Sequence, residues 1–176
     1  DERNRFLATL SDESERLAEL GVDLFDFIGG RGPRRPLPSP QEEVEDFISD
    51  RANYFPRIET AAERTCSALL ADPAPSLEDI VHHLQRRHRI RVRRIPSADL
   101  GITGERLSDD RREFLLATDL GRASARFRLG RLLATAEHGD LLSEIIAEGE
   151  PTSREVETRM RRALANYLAA ALLMPY

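Results

Sequence analysis

The sequence predicts an α+β domain, mainly helical, with a small three-stranded sheet packed on helices. Three observations predict it. Apolar residues recur at helical spacing over most of the chain. The period drops to two only between about residues 90 and 116. Helical stripes then resume and run to the C-terminus, so the order is helices, sheet, helices.

The first 28 residues carry Phe6, Leu10, Leu17, Leu20 and Leu24 on one helical stripe, ended by Gly29-Gly30-Arg31-Gly32-Pro33. A lone helix cannot bury such a stripe, so it must dock on the main body or on a second chain. Residues 1–38 are therefore read as an N-terminal helix and linker for dimerisation or docking, and residues 39–176 as the main domain. Ser39-Pro40-Gln41-Glu42 has the form of a capping box. The helix it opens carries Val44, Phe47, Ile48 and Phe55 until Pro56 kinks or breaks it. Ile58, Ala62, Cys66 and Leu69 continue the stripe to Asp72-Pro73, and Ser76 caps a third helix containing Ile80, Val81 and Leu84.

Ile90-Arg91-Val92-Arg93 alternates as a strand does, and residues 102–107 and 113–116 are two further strands around the turn-forming Ser108-Asp109-Asp110-Arg111. A helix is expected over residues 123–137, closed by His138-Gly139. Leu141, Leu142, Ile145 and Ile146 mark a separate short helix before Gly149-Glu150-Pro151. Thr152-Ser153-Arg154-Glu155 caps the last helix, whose stripe includes Val156, Met160, Leu164, Tyr167, Leu168 and Leu172, with Pro175 as its stop.

Of the 176 residues, 40% are hydrophobic and 32% charged, an ordinary globular composition. No apolar run approaches the roughly 18 residues of a membrane helix. Asp1-Glu2-Arg3-Asn4-Arg5 does not resemble the start of a signal peptide, so a cytoplasmic location away from membranes is expected. The single cysteine, Cys66, excludes an internal disulfide and sits among alanines and leucines as a buried, inert thiol. All 26 basic residues are arginine, a pattern of high-GC coding. The net charge of −5 argues against a broad nucleic-acid-binding face. Residues 86–94 nevertheless hold six arginines and no acid, which fits either an anion-binding strip or a solvated strand edge.

A small sheet, a helix beginning near Phe127, and a helix carrying Ala165-Asn166-Tyr167-Leu168-Ala169-Ala170-Ala171-Leu172-Leu173-Met174-Pro175 together resemble the ImmA/IrrE metallopeptidase family. That family reads H-E-L-G-H on the first helix and E-A-N-x-F-A-x-x-L-L-M-P on the second. The resemblance implies a zincin-like core. It sets Arg131, Leu132 and Thr135 at the three H-E-x-x-H positions and Leu164 at the third ligand position. Arginine does not ligate zinc and leucine is no base, so no metal, no cofactor and no peptidase activity are expected. His82, His83, His88 and His138 lack metal-ligand spacing among themselves and read as solvated or capping residues.

A narrower resemblance rests on Glu42-Glu43-Val44-Glu45-Asp46-Phe47, Arg51-Ala52-Asn53-Tyr54, Ala61-Ala62-Glu63 and the Ala165-Asn166-Tyr167 helix. It is similar to helix-turn-helix regulators of short-chain acyl and carboxylic-acid metabolism, which carry a degenerate form of this domain. It implies that residues 39–176 are an effector-sensing core of a bacterial transcription regulator, binding an acyl-CoA or related short-chain acyl ligand as a homodimer. DNA would be bound only through a helix-turn-helix domain absent from this chain. The alternative is a dimerisation scaffold with no small-molecule ligand. The candidate ligand-binding residues are Arg51, Tyr54, Arg131, Thr135 and Leu164. Arg51 and Tyr54, three apart, would share a helical face, with Arg51 on a phosphate or carboxylate. The alternative for Arg51 is a wet ion pair with Asp46, Asp50 or Glu63. Arg131 and Thr135 would line the degenerate metal site, with Leu164 as an apolar wall, and Asn166 makes a packing or capping hydrogen bond.

Overall fold

Two serine caps frame the first half of the domain in the computed structural model, which describes residues 38–69 and 74–174. Ser39 accepts a 3.2 Å bond from the Glu42 amide while Glu42 accepts a 2.7 Å bond from the Ser39 amide, opening α1 (Pro40–Ser49). Ser76 and Asp79 repeat the device at the start of α3 (Leu77–His88). Between them lies α2 (Pro56–Ala68), which buries Ile58, Ala61, Ala62, Thr65 and Cys66. The amphipathic segment expected for dimerisation, the Asp72-Pro73 stop and the Pro175 stop lie outside the described residues.

α1 ends earlier than its apolar spacing predicts. Ala52 and Asn53 adopt left-handed φ values of 52° and 56°, and the Tyr54 amide donates to the Arg51 carbonyl at 2.9 Å. Pro56 disfavours helical geometry at Phe55, and the chain turns instead. Phe55 swings into the core, edge-on to Tyr167 at a ring-centroid distance of 5.2 Å. Arg51 and Tyr54 therefore sit on a turn and do not share a helical face.

The sheet has the order β1-β3-β2, with β1 (Arg91–Ile95) parallel and β2 (Glu105–Leu107) antiparallel to the central β3 (Glu113–Ala117). β3 buries Phe114, Leu116 and Ala117, as a middle strand must. β2 is shorter than its expected 102–107 span. A 3₁₀ turn at Gly101–Thr103 and a left-handed Gly104 (φ 63°) occupy the first half.

The largest departure is α4 (Arg122–Ala147). His138-Gly139 does not end it: the helix continues through a local kink at His138 (φ −122°, ψ 21°) into the segment expected to be separate. An interior glycine costs a helix only about 1 kcal/mol. Leu129, Leu133 and Ala134 before the kink and Leu142, Ile145 and Ile146 after it all enter one core, and that burial outweighs the penalty. α5 (Arg154–Leu173) packs beside α4 and buries Val156, Met160, Leu164, Ala165, Leu168, Ala169 and Leu172. Cys66 donates to the Leu172 carbonyl at 3.4 Å, and burial pushes its thiol pKa up, as an inert cysteine requires. No helix among the described residues is long and apolar enough to cross a membrane.

Gly149, just past α4, shows how tightly this core closes. A Cβ there would lie 2.5 Å from Phe47 Cε2, against a buried ring with little room to move. Gly149→Ala is therefore expected to cost about 1–3 kcal/mol by overpacking, read as a lower midpoint in urea unfolding.

Candidate ligand cleft and histidine cluster

The face of α4 that carries Phe127, Arg128 and Arg131 meets Arg162 and Asn166 of α5 and Glu105 of β2 around an open cleft of about 750 Å³. Helical spacing explains the grouping. Arg128 and Arg131 are three apart, Arg162 and Asn166 four apart, and each pair shares one face. β2 is an edge strand, so Glu105 reaches the cleft without a neighbouring strand in the way.

Glu105 lies between two guanidinium groups. Arg131 donates to its Oε1, and Arg128 Nη1 is 3.1 Å from its Oε2. That second contact is an ion pair without hydrogen-bond alignment, so the buried Oε2 has no directed donor among the described residues. Arg128 also donates to the Thr103 carbonyl. Arg162 is exposed and has no ion-pair partner among the described residues. Asn166 Oδ1 is buried with no hydrogen-bond partner among the described residues, where a packing or capping bond was expected. Buried acceptors rarely stay unpaired, so the cleft combines surplus positive charge with a polar atom awaiting a donor.

Of the five sequence candidates, the cleft gathers Arg131 alone. Arg51 is committed locally, donating to the Phe47 carbonyl at 3.1 Å and stacking over the Phe47 ring at 4.1 Å. Tyr54 is 56% exposed on the same turn. Thr135 donates to the Arg131 carbonyl within its own helix, and Leu164 is buried in the core at 1% exposure. Arg131, Leu132, Thr135 and Leu164 therefore offer zinc no ligand set: a paired cation, a core-packed leucine, a backbone-bonded hydroxyl and a buried leucine. Arg128, Arg162 and Asn166 also line the cleft, and the sequence candidates did not include them. The available signal was helical spacing: Arg128 lies three residues from Arg131, and Arg162 and Asn166 lie four apart.

The 86–94 run does not form one strip. It is divided between the end of α3, a left-handed turn at Arg89 and β1. Arg87 approaches Glu137, and Arg93 approaches Glu113 at 3.5 Å. Arg89, Arg91, Arg112 and Gln85 line a smaller hollow of about 280 Å³.

A second constellation lies at the kink of α4. His83 Nε2 and His88 Nε2 on α3 lie 2.7 and 3.3 Å from Glu137 Oε1, and Arg87 Nε lies 3.1 Å from the same oxygen. Thr65 of α2 donates to Glu137 Oε2 at 3.2 Å and pairs with His138 Nε2 at 2.8 Å. Burial pushes the Glu137 carboxyl up, but the bond and charge of His83, then the bonds of His88 and Thr65, outweigh it and hold the group below its ordinary value. Burial likewise lowers the His138 pKa. Three of the four histidines thus converge on one carboxylate and are not the solvated or capping residues that linear spacing implied; only His82 is exposed.

No protein-family model matches the chain. Over 162 residues, 92% of its length, it is 31% identical to the HTH-type transcriptional regulator RamB of Mycobacterium tuberculosis. The chain is homologous to HTH-type transcriptional regulators. A second regulator of that organism, the HTH-type transcriptional regulator PrpR, is 33% identical over 147 residues, 82% of this chain. The propionyl-CoA carboxylase regulator of Cereibacter sphaeroides is 28% identical over 162 residues. A solved Mycobacterium tuberculosis transcriptional regulator superposes with a TM-score of 0.72 at 30% identity, covering 79% of this chain and 42% of that one. The chain spans about a third of the regulators it matches, 33%, 29% and 32% of the three.

Proposed function

We propose that residues 39–176 form the effector-sensing core of a transcription regulator, and that the effector is an acyl-CoA or related short-chain acyl thioester held in the arginine-lined cleft. The observation that carries this reading is the cleft's charge: Arg128, Arg131 and Arg162 face it against the single carboxylate of Glu105. A coenzyme A ester needs fixed cations for its phosphates and an apolar or stacking surface at its other end. Arg131 and Arg162 supply the first and Phe127 the second. The relatives are named as transcription regulators, one of them of propionyl-CoA carboxylase, and a regulator of acyl metabolism is compatible with an effector of this class. The fold is read as peptidase-like with its zinc positions replaced, and as non-catalytic, because Arg131, Leu132, Thr135 and Leu164 offer neither ligands nor a base.

Regulation would follow from a population shift. A ligand that prefers one arrangement of two subunits biases the spacing of the attached DNA-binding domains, and its differential affinity limits the size of the effect. Titration calorimetry with coenzyme A and short acyl thioesters tests the reading. Saturable heat with one site per chain supports it; no heat with any thioester leaves the ligand-free dimerisation scaffold. The homodimer itself is tested by sedimentation of the whole chain, where a monomer at high micromolar concentration would remove it.

A further inference from the structure

We propose that His83, His88 and Glu137 form a binding site for a divalent transition-metal ion of the zinc class, on a different face of α4 from the cleft. One ligand atom from each of these three residues lies within 4.8 Å of the other two. Ligand atoms of a tetrahedral zinc with bonds of about 2.1 Å stand roughly 3.4 Å apart. The two measured histidine-to-carboxylate separations, 2.7 and 3.3 Å, are already near that edge length. An imidazole pair with one carboxylate is a donor set suited to zinc and to its neighbours among the divalent ions.

Without an ion, the same geometry is crowded. The Nε2 atoms of His83 and His88 and the Nε of Arg87 all lie within 3.3 Å of Glu137 Oε1, the two imidazoles as hydrogen-bond partners and Arg87 as an ion pair without hydrogen-bond alignment. A divalent cation replaces the two imidazole protons with one shared charge. Both rings then coordinate through Nε2, with their protons on Nδ1. Arg87, 71% exposed, can turn into solvent, which removes the third cationic group from Oε1. The inner residues are sheltered: the side chains of His83, His88 and Glu137 are 14%, 18% and 11% exposed. A partly buried site of this kind excludes competing water while leaving an entry path.

An outer shell is also in place. Thr65 donates to Glu137 Oε2, the oxygen not shared with the histidines, which orients the carboxylate and leaves Oε1 free to ligate. His138 bonds Thr65 in turn, and the kink in α4 falls at His138. The ion would tie α3 to α4, with α2 bracing the carboxylate. The site is distinct from Arg131 and Thr135, since Glu137 projects about 120° around α4 from Arg131. It requires no acyl ligand, so the two proposals stand or fall separately.

The test uses the whole chain, stripped with a chelator and titrated with Zn²⁺ and Co²⁺. One Zn²⁺ per chain is expected, with a rise in the melting temperature. The Co²⁺ form should show the visible bands of a low-coordinate nitrogen and oxygen site, with no thiolate charge-transfer absorption. His83→Ala, His88→Ala and Glu137→Gln, each checked for folding by circular dichroism, should weaken binding at least tenfold. His82→Ala should leave it unchanged. Absence of saturable binding to the wild-type chain overturns the proposal. So do thiolate bands, which would place the ion at Cys66, and affinity retained in the folded histidine variants. Should a variant fail to fold, the wild-type stoichiometry and cobalt spectrum decide.

Discussion

Arg162→Ala is expected to weaken binding of coenzyme A or its short acyl esters by about tenfold or more, without lowering the stability of the ligand-free protein. A charge-assisted bond to phosphate contributes about 1.5–3 kcal/mol, and 1.4 kcal/mol is a factor of ten in affinity. Arg162 is the cleanest probe because its guanidinium is exposed and has no ion-pair partner among the described residues. Arg131→Ala should lose similar affinity, but it also strips Glu105 of an ion-pair partner and so carries a stability cost of its own. Raising the salt concentration should weaken wild-type binding and largely spare the residual binding of a double variant. Arg51→Ala supplies the contrast, because Arg51 is bound to the Phe47 carbonyl and ring and does not line the cleft. Loss of affinity in Arg51→Ala with none in Arg162→Ala would move the ligand to the Arg51 turn.

Leu164→Ala is expected to destabilise the domain by about 3 kcal/mol, a fall of roughly 10 °C in melting temperature for a domain of this size. Leu164 is 1% exposed in the core between α4 and α5, where neighbouring side chains cannot collapse fully onto the space left behind. Leu164→Glu places a carboxylate at a position that is 1% exposed. With no zinc and no positive partner inside that core, it should prevent stable folding. Thermal unfolding followed by circular dichroism measures both. A wild-type melting curve for Leu164→Ala would show that the position is a loose cleft wall and not part of the core.

Much of the architecture was legible from local chemistry. The capping boxes at Ser39 and Ser76 are read directly from residue type and spacing, because a cap is satisfied by atoms three residues away. The change from helical to alternating periodicity located β1 and β3 to within two residues, and the α5 stripe matched its buried face. Element ends were less legible. Phe55 fits the apolar stripe of α1, yet Pro56 and the left-handed Ala52 and Asn53 turn the chain before it. His138-Gly139 has the chemistry of a helix stop, yet the residues on either side share one core.

Residue type and spacing by themselves determined the α+β class, the order of the elements, the inert cysteine and the lack of ligand chemistry at Arg131, Leu132, Thr135 and Leu164. The tertiary structure decided which side chains meet. It kept Arg51 and Tyr54 off the cleft, buried Leu164, and brought Arg128, Arg162 and Asn166 to Arg131. It also carried His83 and His88 to Glu137, about fifty residues away along the chain. The reason is range. Caps, turns and periodicity depend on groups within a few residues of each other, whereas a binding site depends on how whole helices pack. Packing is set by the summed burial of many side chains and not by any short motif.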